Sequence, residues 1–142
     1  MARAASTKRP TRIQREKTEA ILEAALEVFA TYGFRGSTLD QIAAKSGISK
    51  PNILYYFDGK ETIHAKLLAR LLETWLEPLE HLSDAGDPVD EICAYVGRKL
   101  AMSRDYPRES RLFANEVLQG EPGIRDELSG PLKYLTDEKA AL

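Results

Sequence analysis

The stretch TLDQIAAKSGISKPNILYYF, residues 38–57, decides the fold. It reads as two short helices, one over 38–45 and one over 50–56, joined at Ser46-Gly47-Ile48. Ser49 is a helix-capping residue type. Pro51 falls in the first turn of the second helix, where a missing N–H costs no helical hydrogen bond. Two helices this short bury little surface alone, so their pairing needs close backbones and a shared floor. Ala43 is small where the backbones approach, and Gly47 supplies the positive φ that the turn requires. Leu39, Ile42, Ile48 and Ile53 share the side that packs on a neighbouring helix. The pattern is a helix-turn-helix.

Working outward, Ile21, Ala25, Val28, Phe29 and Tyr32 recur at helical spacing from Thr11 onward. Gly33 stops that helix, and Ser37 or Thr38 caps the next. On the other side, Asp58-Gly59-Lys60-Glu61 reads as a capping box opening a long helix. That helix carries Ile63, Leu67, Leu68, Leu71, Leu72, Trp75 and Leu79 inward, and Pro78 kinks or ends it. After a loop at 83–88, Val89, Ile92, Cys93, Val96 and Leu100 mark a fifth helix, broken at Asp105-Tyr106-Pro107. Leu112, Phe113, Glu116, Val117 and Leu118 mark a sixth. Ile124, Leu128, Leu132 and Leu135 mark a seventh, with Pro131 inside it. No strand alternation and no repeat interrupts this, so the expected fold is all-α. Residues 1–11 read as a disordered basic arm, 12–62 as an N-terminal three-helix DNA-binding domain, and 63–142 as a C-terminal helical body.

The net charge of −2 hides an asymmetry: residues 1–66 carry net +4 and residues 67–142 net −6. A basic front with an acidic rear fits a DNA-binding head on a regulatory body. The outward face of the second short helix is Lys50, Pro51, Asn52 and Tyr55. Asn pairs bidentately with adenine and Lys donates to guanine acceptors, so this mixture suits the major groove of double-stranded DNA. Thr38, Tyr56 and Lys60 sit at helix ends, where they would hold phosphates; packing is the competing role for Tyr56. Catalysis finds no support: His64 and His81 are isolated, no metal-ligand spacing or phosphate-binding loop occurs, and no cofactor is expected. The single Cys93 excludes an internal disulfide and suits a reducing, cytoplasmic setting. No apolar run is long enough for a membrane span, and the N-terminus lacks the apolar core of a secretory signal.

Residues 20–66 resemble the DNA-binding domain of TetR-family regulators. The resemblance is carried by Tyr32-Gly33-Phe34-Arg35-Gly36-Ser37-Thr38, Gln41-Ile42-Ala43, Gly47-Ile48-Ser49-Lys50, and Tyr56-Phe57 followed by Lys60-Glu61. Leu54 stands where most members carry Tyr. That departure, within Ser49-Lys50-Pro51-Asn52-Ile53-Leu54-Tyr55-Tyr56-Phe57, is similar to the RutR-type subgroup of pyrimidine-utilisation regulators. The similarity continues at Trp75-Leu76-Glu77-Pro78-Leu79, Ser103-Arg104-Asp105-Tyr106-Pro107, Ser110-Arg111-Leu112-Phe113, Asp126-Glu127-Leu128 and Asp137-Glu138-Lys139. The resemblance implies a repressor that binds a palindromic operator as a homodimer and leaves it when a small effector, uracil or thymine, binds the body. Trp75 and Phe113 would then form a flat slot, with Asn115 or Glu116 pairing to the ring edge; plain core packing is the alternative for both aromatics. Members of the family are longer, and their last two helices form most of the dimer interface and close part of the ligand pocket. The expectation for this chain is therefore poor dimerisation and weak, salt-sensitive DNA binding. The alternatives are a TetR-type regulator of another small molecule and a helical protein-interaction module that does not bind DNA.

Overall fold

The computed structural model describes residues 9–119 and 133–140. Among these residues there are seven α-helices and no strand: α1 (Arg12–Tyr32), α2 (Leu39–Ser46), α3 (Lys50–Tyr56), α4 (Lys60–Glu80), α5 (Pro88–Asp105), α6 (Pro107–Gln119) and α7 (Lys133–Ala140). Ile124, Leu128, Pro131 and Leu132 of the expected seventh helix lie outside the described residues, as do residues 1–8 of the basic arm.

The helix boundaries follow local chemistry. Thr11 caps α1 in a capping box with Gln14, and Thr38 caps α2 in the same way with Gln41. Each box satisfies two orphan backbone donors reciprocally. Gly47 ends α2 at φ 69° and ψ 14°, the left-handed conformation, with its N–H donating to the Ala43 carbonyl. Asp87 caps α5 by accepting from the N–H groups of Val89 and Asp90. Of the two candidate caps for α2, Thr38 is the one used. Ser37 is buried and its hydroxyl donates to the Gly33 carbonyl, tying the α1–α2 turn to itself. One local expectation is corrected: Asp58 forms no capping box, because α4 starts after Gly59 without any side-chain cap. Pro78 lies in the last turn of α4, which ends two residues later at Glu80.

One core holds the head to the first part of the body. Ile21, Leu22, Ala25, Leu26, Val28 and Phe29 of α1 meet Ile42 of α2, Ile53 of α3, Ile63, Leu67, Leu68 and Leu71 of α4, and Leu112 of α6. Ile42 and Ile53 are both 0% exposed, so each contributes about 1.5–3 kcal/mol by leaving water. The floor beneath the helix-turn-helix is therefore shared with α4 and α6. Two ion pairs also link α1 to the body: Arg70 of α4 with Glu19, and Arg108 of α6 with Glu23.

The fifth helix forms where its apolar spacing marks it, with its apolar stripe outward. Val89 (66% exposed), Ile92 (60%), Val96 (48%) and Leu100 (67%) lie along one face of α5 and face solvent in the described structure. Met102 is the buried residue of that helix. The periodicity located the helix, but α5 meets α4 and α6 along a different side.

Candidate nucleic-acid interface and effector cavity

α3 is short, so its rigidity comes from its ends and its underside. The Ser49 hydroxyl accepts from the Asn52 N–H at 3.4 Å, and the Phe57 N–H donates to the Ile53 carbonyl at 2.9 Å. Ile53 and Phe57 point into the core. With that side committed, Lys50, Pro51, Asn52, Leu54 and Tyr55 are exposed, Tyr55 to 73%. The four residues expected to read bases thus share one solvent-facing surface of a helix anchored beneath and at both ends. Lys50 is partly engaged: its ammonium lies 3.5 Å from the Asp40 carboxylate of α2.

The residues expected to hold phosphates divide. Thr38 is exposed at the start of α2; its hydroxyl oxygen accepts the Gln41 N–H, which leaves the O–H free to donate outward. Tyr56 is half-buried, packs against the core and meets Tyr55 edge-on, ring centroids 5.0 Å apart. Lys60 is placed inside the fold. Its ammonium donates to the carbonyls of Phe34 at 2.8 Å and Ser37 at 2.9 Å, and sits 4.5 Å from the centre of the Phe34 ring. With two of three donors so occupied, Lys60 primarily ties α4 to the turn before α2.

In the body, Trp75 and Phe113 do come together, with ring centroids 5.6 Å apart and planes inclined by 31°. They line a cavity of about 300 Å³ with Leu72, Leu76, Leu79, Tyr95 and Lys99, between α4, α5 and α6. This is at the small end of ligand pockets, which run from about 300 Å³ upward. Among the described residues Lys99 supplies its only charge. The Lys99 ammonium donates to the Trp75 carbonyl and lies 5.2 Å from the Trp75 ring and 5.8 Å from the Tyr95 ring. Burial lowers its pKa, since desolvation disfavours the charged form. Sequence reasoning missed Lys99; its only signal is Tyr95 one turn earlier, a spacing common on solvated helix faces.

The other two residues expected at the ring edge are placed differently. Asn115 is half-buried and does not line this cavity. Glu116 is 1% exposed and turned the other way, its Oε1 2.6 Å from His64 Nε2 of α4. Glu116 lies one turn along α6 from Phe113, and at that level α6 meets His64 near the start of α4, whereas Phe113 meets Trp75 three turns further along it. A second cavity of about 180 Å³ lies between α1, α4 and α6, floored by Leu22, Leu26, Leu67, Leu71 and Leu112. Trp75 lines both cavities.

Comparison with known proteins accounts for both halves. Residues 21–67 match the family model described as bacterial regulatory proteins, tetR family. Residues 68–142 match the one described as YcdC-like protein, C-terminal region. The chain is 46% identical over 137 residues to the HTH-type transcriptional regulator RutR of Escherichia coli K12, covering 96% of this chain and 65% of that protein. It is 42% identical over 64 residues to the HTH-type transcriptional regulator SrpR of Pseudomonas putida, covering 44% of this chain and 30% of that one. Among solved structures, a TetR-like transcriptional regulator from Rhodococcus sp. RHA1 superposes with a TM-score of 0.74 at 21% identity, covering 94% of this chain and 71% of that chain; at that identity it speaks for the fold. The chain thus spans about two thirds of the RutR length. With one model matching the helix-turn-helix and the other the helices that follow, the chain belongs to the tetR family of bacterial regulatory proteins.

Proposed function

We propose that this protein is a transcription regulator that reads double-stranded operator DNA through α3 and is released by a small planar effector bound in its body. The observation that carries the reading is α3 itself. Ile53 and Phe57 anchor its underside, while Lys50, Pro51, Asn52 and Tyr55 are presented together on its exposed side. Lys50 and Asn52 supply base-edge hydrogen bonds, each good bidentate contact discriminating by about 1–3 kcal/mol. Pro51 and Tyr55 pack against thymine methyls or sugars. Thr38 donates to a phosphate, Tyr56 holds the register of α3, and Lys60 secures the turn before α2 without a phosphate contact. The basic head favours a polyanion, and the acidic body keeps the far side away from it.

The effector we assign is a pyrimidine base, uracil or thymine, in the cavity bounded by Trp75 and Phe113. Trp75 and Phe113, already in contact with each other, form one aromatic wall against which a flat ring stacks, and the Lys99 ammonium donates to a ring carbonyl. The similarity to RutR supports this choice of effector class. Two heads in a homodimer would occupy successive major grooves of a palindromic operator, about 34–36 Å apart, so an effector that favours one tilt of α4 would change their spacing.

Selection from random duplex DNA, repeated with uracil, thymine or cytosine, tests the whole reading. An enriched palindromic site is expected, with uracil or thymine reducing its recovery. Lys50→Ala with Asn52→Ala should abolish enrichment while circular dichroism stays helical. Unchanged DNA binding in that double variant would rule out α3 as the reading helix. Trp75→Ala or Lys99→Met should keep DNA binding and lose the pyrimidine response; full retention of the response would move the effector elsewhere.

A further inference from the structure

The shared core contains one polar contact that neither DNA reading nor effector binding uses. Glu116 of α6 and His64 of α4 are both buried and meet at 2.6 Å. The second carboxylate oxygen of Glu116 is buried without a hydrogen-bond partner among the described residues. The His64 ring lies 4.4 Å from the Phe34 ring at 36°, and meets Phe29 edge-on at 5.2 Å. One turn earlier on α4, Lys60 holds the carbonyls of Phe34 and Ser37. The α1–α2 turn that leads into the Thr38 cap is therefore gripped by two residues of α4, and one of these is gripped by α6. On α6 itself, Phe113 lines the effector cavity and Glu116 follows one turn later.

We propose that Glu116 and His64 form a latch through which the position of α6 sets the turn at Phe34 to Ser37, and with it the seating of the helix-turn-helix. Both are positioning residues that touch neither DNA nor effector. An apolar contact here would slide with α6, because dispersion is non-directional. A hydrogen bond in a dry interior is directional and costly to break, so a small shift of α6 either carries His64 with it or breaks the contact. The second oxygen has no partner among the described residues, so this buried carboxylate depends on His64 for its hydrogen bond, and losing that contact leaves it wholly unsatisfied. The use of the latch in regulation rests on the proposed function, but the latch itself is a property of the fold.

Amide hydrogen exchange on the full chain, without DNA or effector, tests it. In Glu116→Leu, amides at residues 34–38 are expected to exchange at least fivefold faster relative to amides in the core of α1. In a His64→Phe background, which keeps an aromatic ring against Phe34 but removes the hydrogen bond, Glu116→Leu should add no further acceleration at that turn. The double variant replaces a buried polar pair with an apolar one, so it retains the fold even where the single variants do not. Equal acceleration in the turn and in α1 would mean that the pair contributes only general stability, and would overturn the latch. So would an undiminished effect of Glu116→Leu in the His64→Phe background. Failure of the unmodified chain to enrich an operator would count against the regulatory reading, while the exchange cycle decides the latch by itself.

Discussion

Lys50 and Asp40 form an exposed pair 3.5 Å apart across the helix-turn-helix, so the cation expected to read bases is partly neutralised before DNA arrives. Exposed pairs are worth about 0–1 kcal/mol, and a carboxylate at the DNA surface repels phosphates besides. Asp40→Asn is therefore expected to tighten DNA binding by about two- to fivefold at low salt, with a smaller gain at high salt, as read by fluorescence anisotropy. Its cost falls on α2, whose first turn loses a carboxylate near the positive end of the helix dipole, about 0.3–1 kcal/mol in a urea titration. Lys60 presents the opposite case. Because its ammonium is held by two backbone carbonyls, Lys60→Met should lower unfolding free energy by about 1–3 kcal/mol. The same change should leave the slope of log affinity against log salt unaltered, whereas a lost phosphate contact would reduce it by about 0.9. These roles were not legible from residue type. A lysine at a helix start looks the same whether it faces a phosphate or a carbonyl, and only the crossing of α4 over the α1–α2 turn distinguishes them.

Among the helices, the boundaries were legible and the packing faces only partly so. Thr38, Gly47, Ser49 and Tyr106-Pro107 sit where the structure starts or stops helices, since caps and breakers act within about one turn of themselves. Thr38→Ala is expected to cost about 0.5–2 kcal/mol of stability, because the Gln41 N–H loses its acceptor. At Gly47 a methyl group would meet nothing within 4 Å, so the cost of Gly47→Ala is conformational alone. Holding alanine at φ 69° should cost about 1–2 kcal/mol, with Gly47→Asn milder, in equilibrium urea unfolding. For α5, the apolar stripe at Val89, Ile92, Val96 and Leu100 announced an amphipathic helix, and the described structure leaves that stripe in solvent. Periodicity states that a face is apolar; it does not state which neighbour meets it. The Asp58 capping box failed for a related reason: a four-residue motif is compatible with more than one backbone path, and Gly59 takes an extended one.

Across the whole molecule, the head and the body are joined by the α1–α4–α6 core and by ion pairs at its rim. At Glu19, the hydrogen bond from Arg70 holds the carboxyl below its usual range, against a smaller opposing effect of burial. A carboxylate whose folded pKa is depressed contributes stability that is present above its unfolded pKa and is lost as pH falls through the folded value. The stability difference between the unmodified chain and Arg70→Gln should therefore be constant near neutrality and vanish on the acid side of the glutamate range, in urea titrations across pH. A difference that persists in acid would show that Arg70 acts through packing alone. The sequence by itself determined the all-α class, the helix order and the residues presented by α3, because caps, glycines and apolar spacing are read within one or two turns. The tertiary structure alone decided that Lys60 and Ser37 secure the α1–α2 turn, that Lys99 enters the aromatic cavity, and that Glu116 leaves it for His64, 52 positions away in the chain. Those choices depend on where helices cross, and crossing is set by the sum of many weak contacts over several elements, which no local pattern encodes.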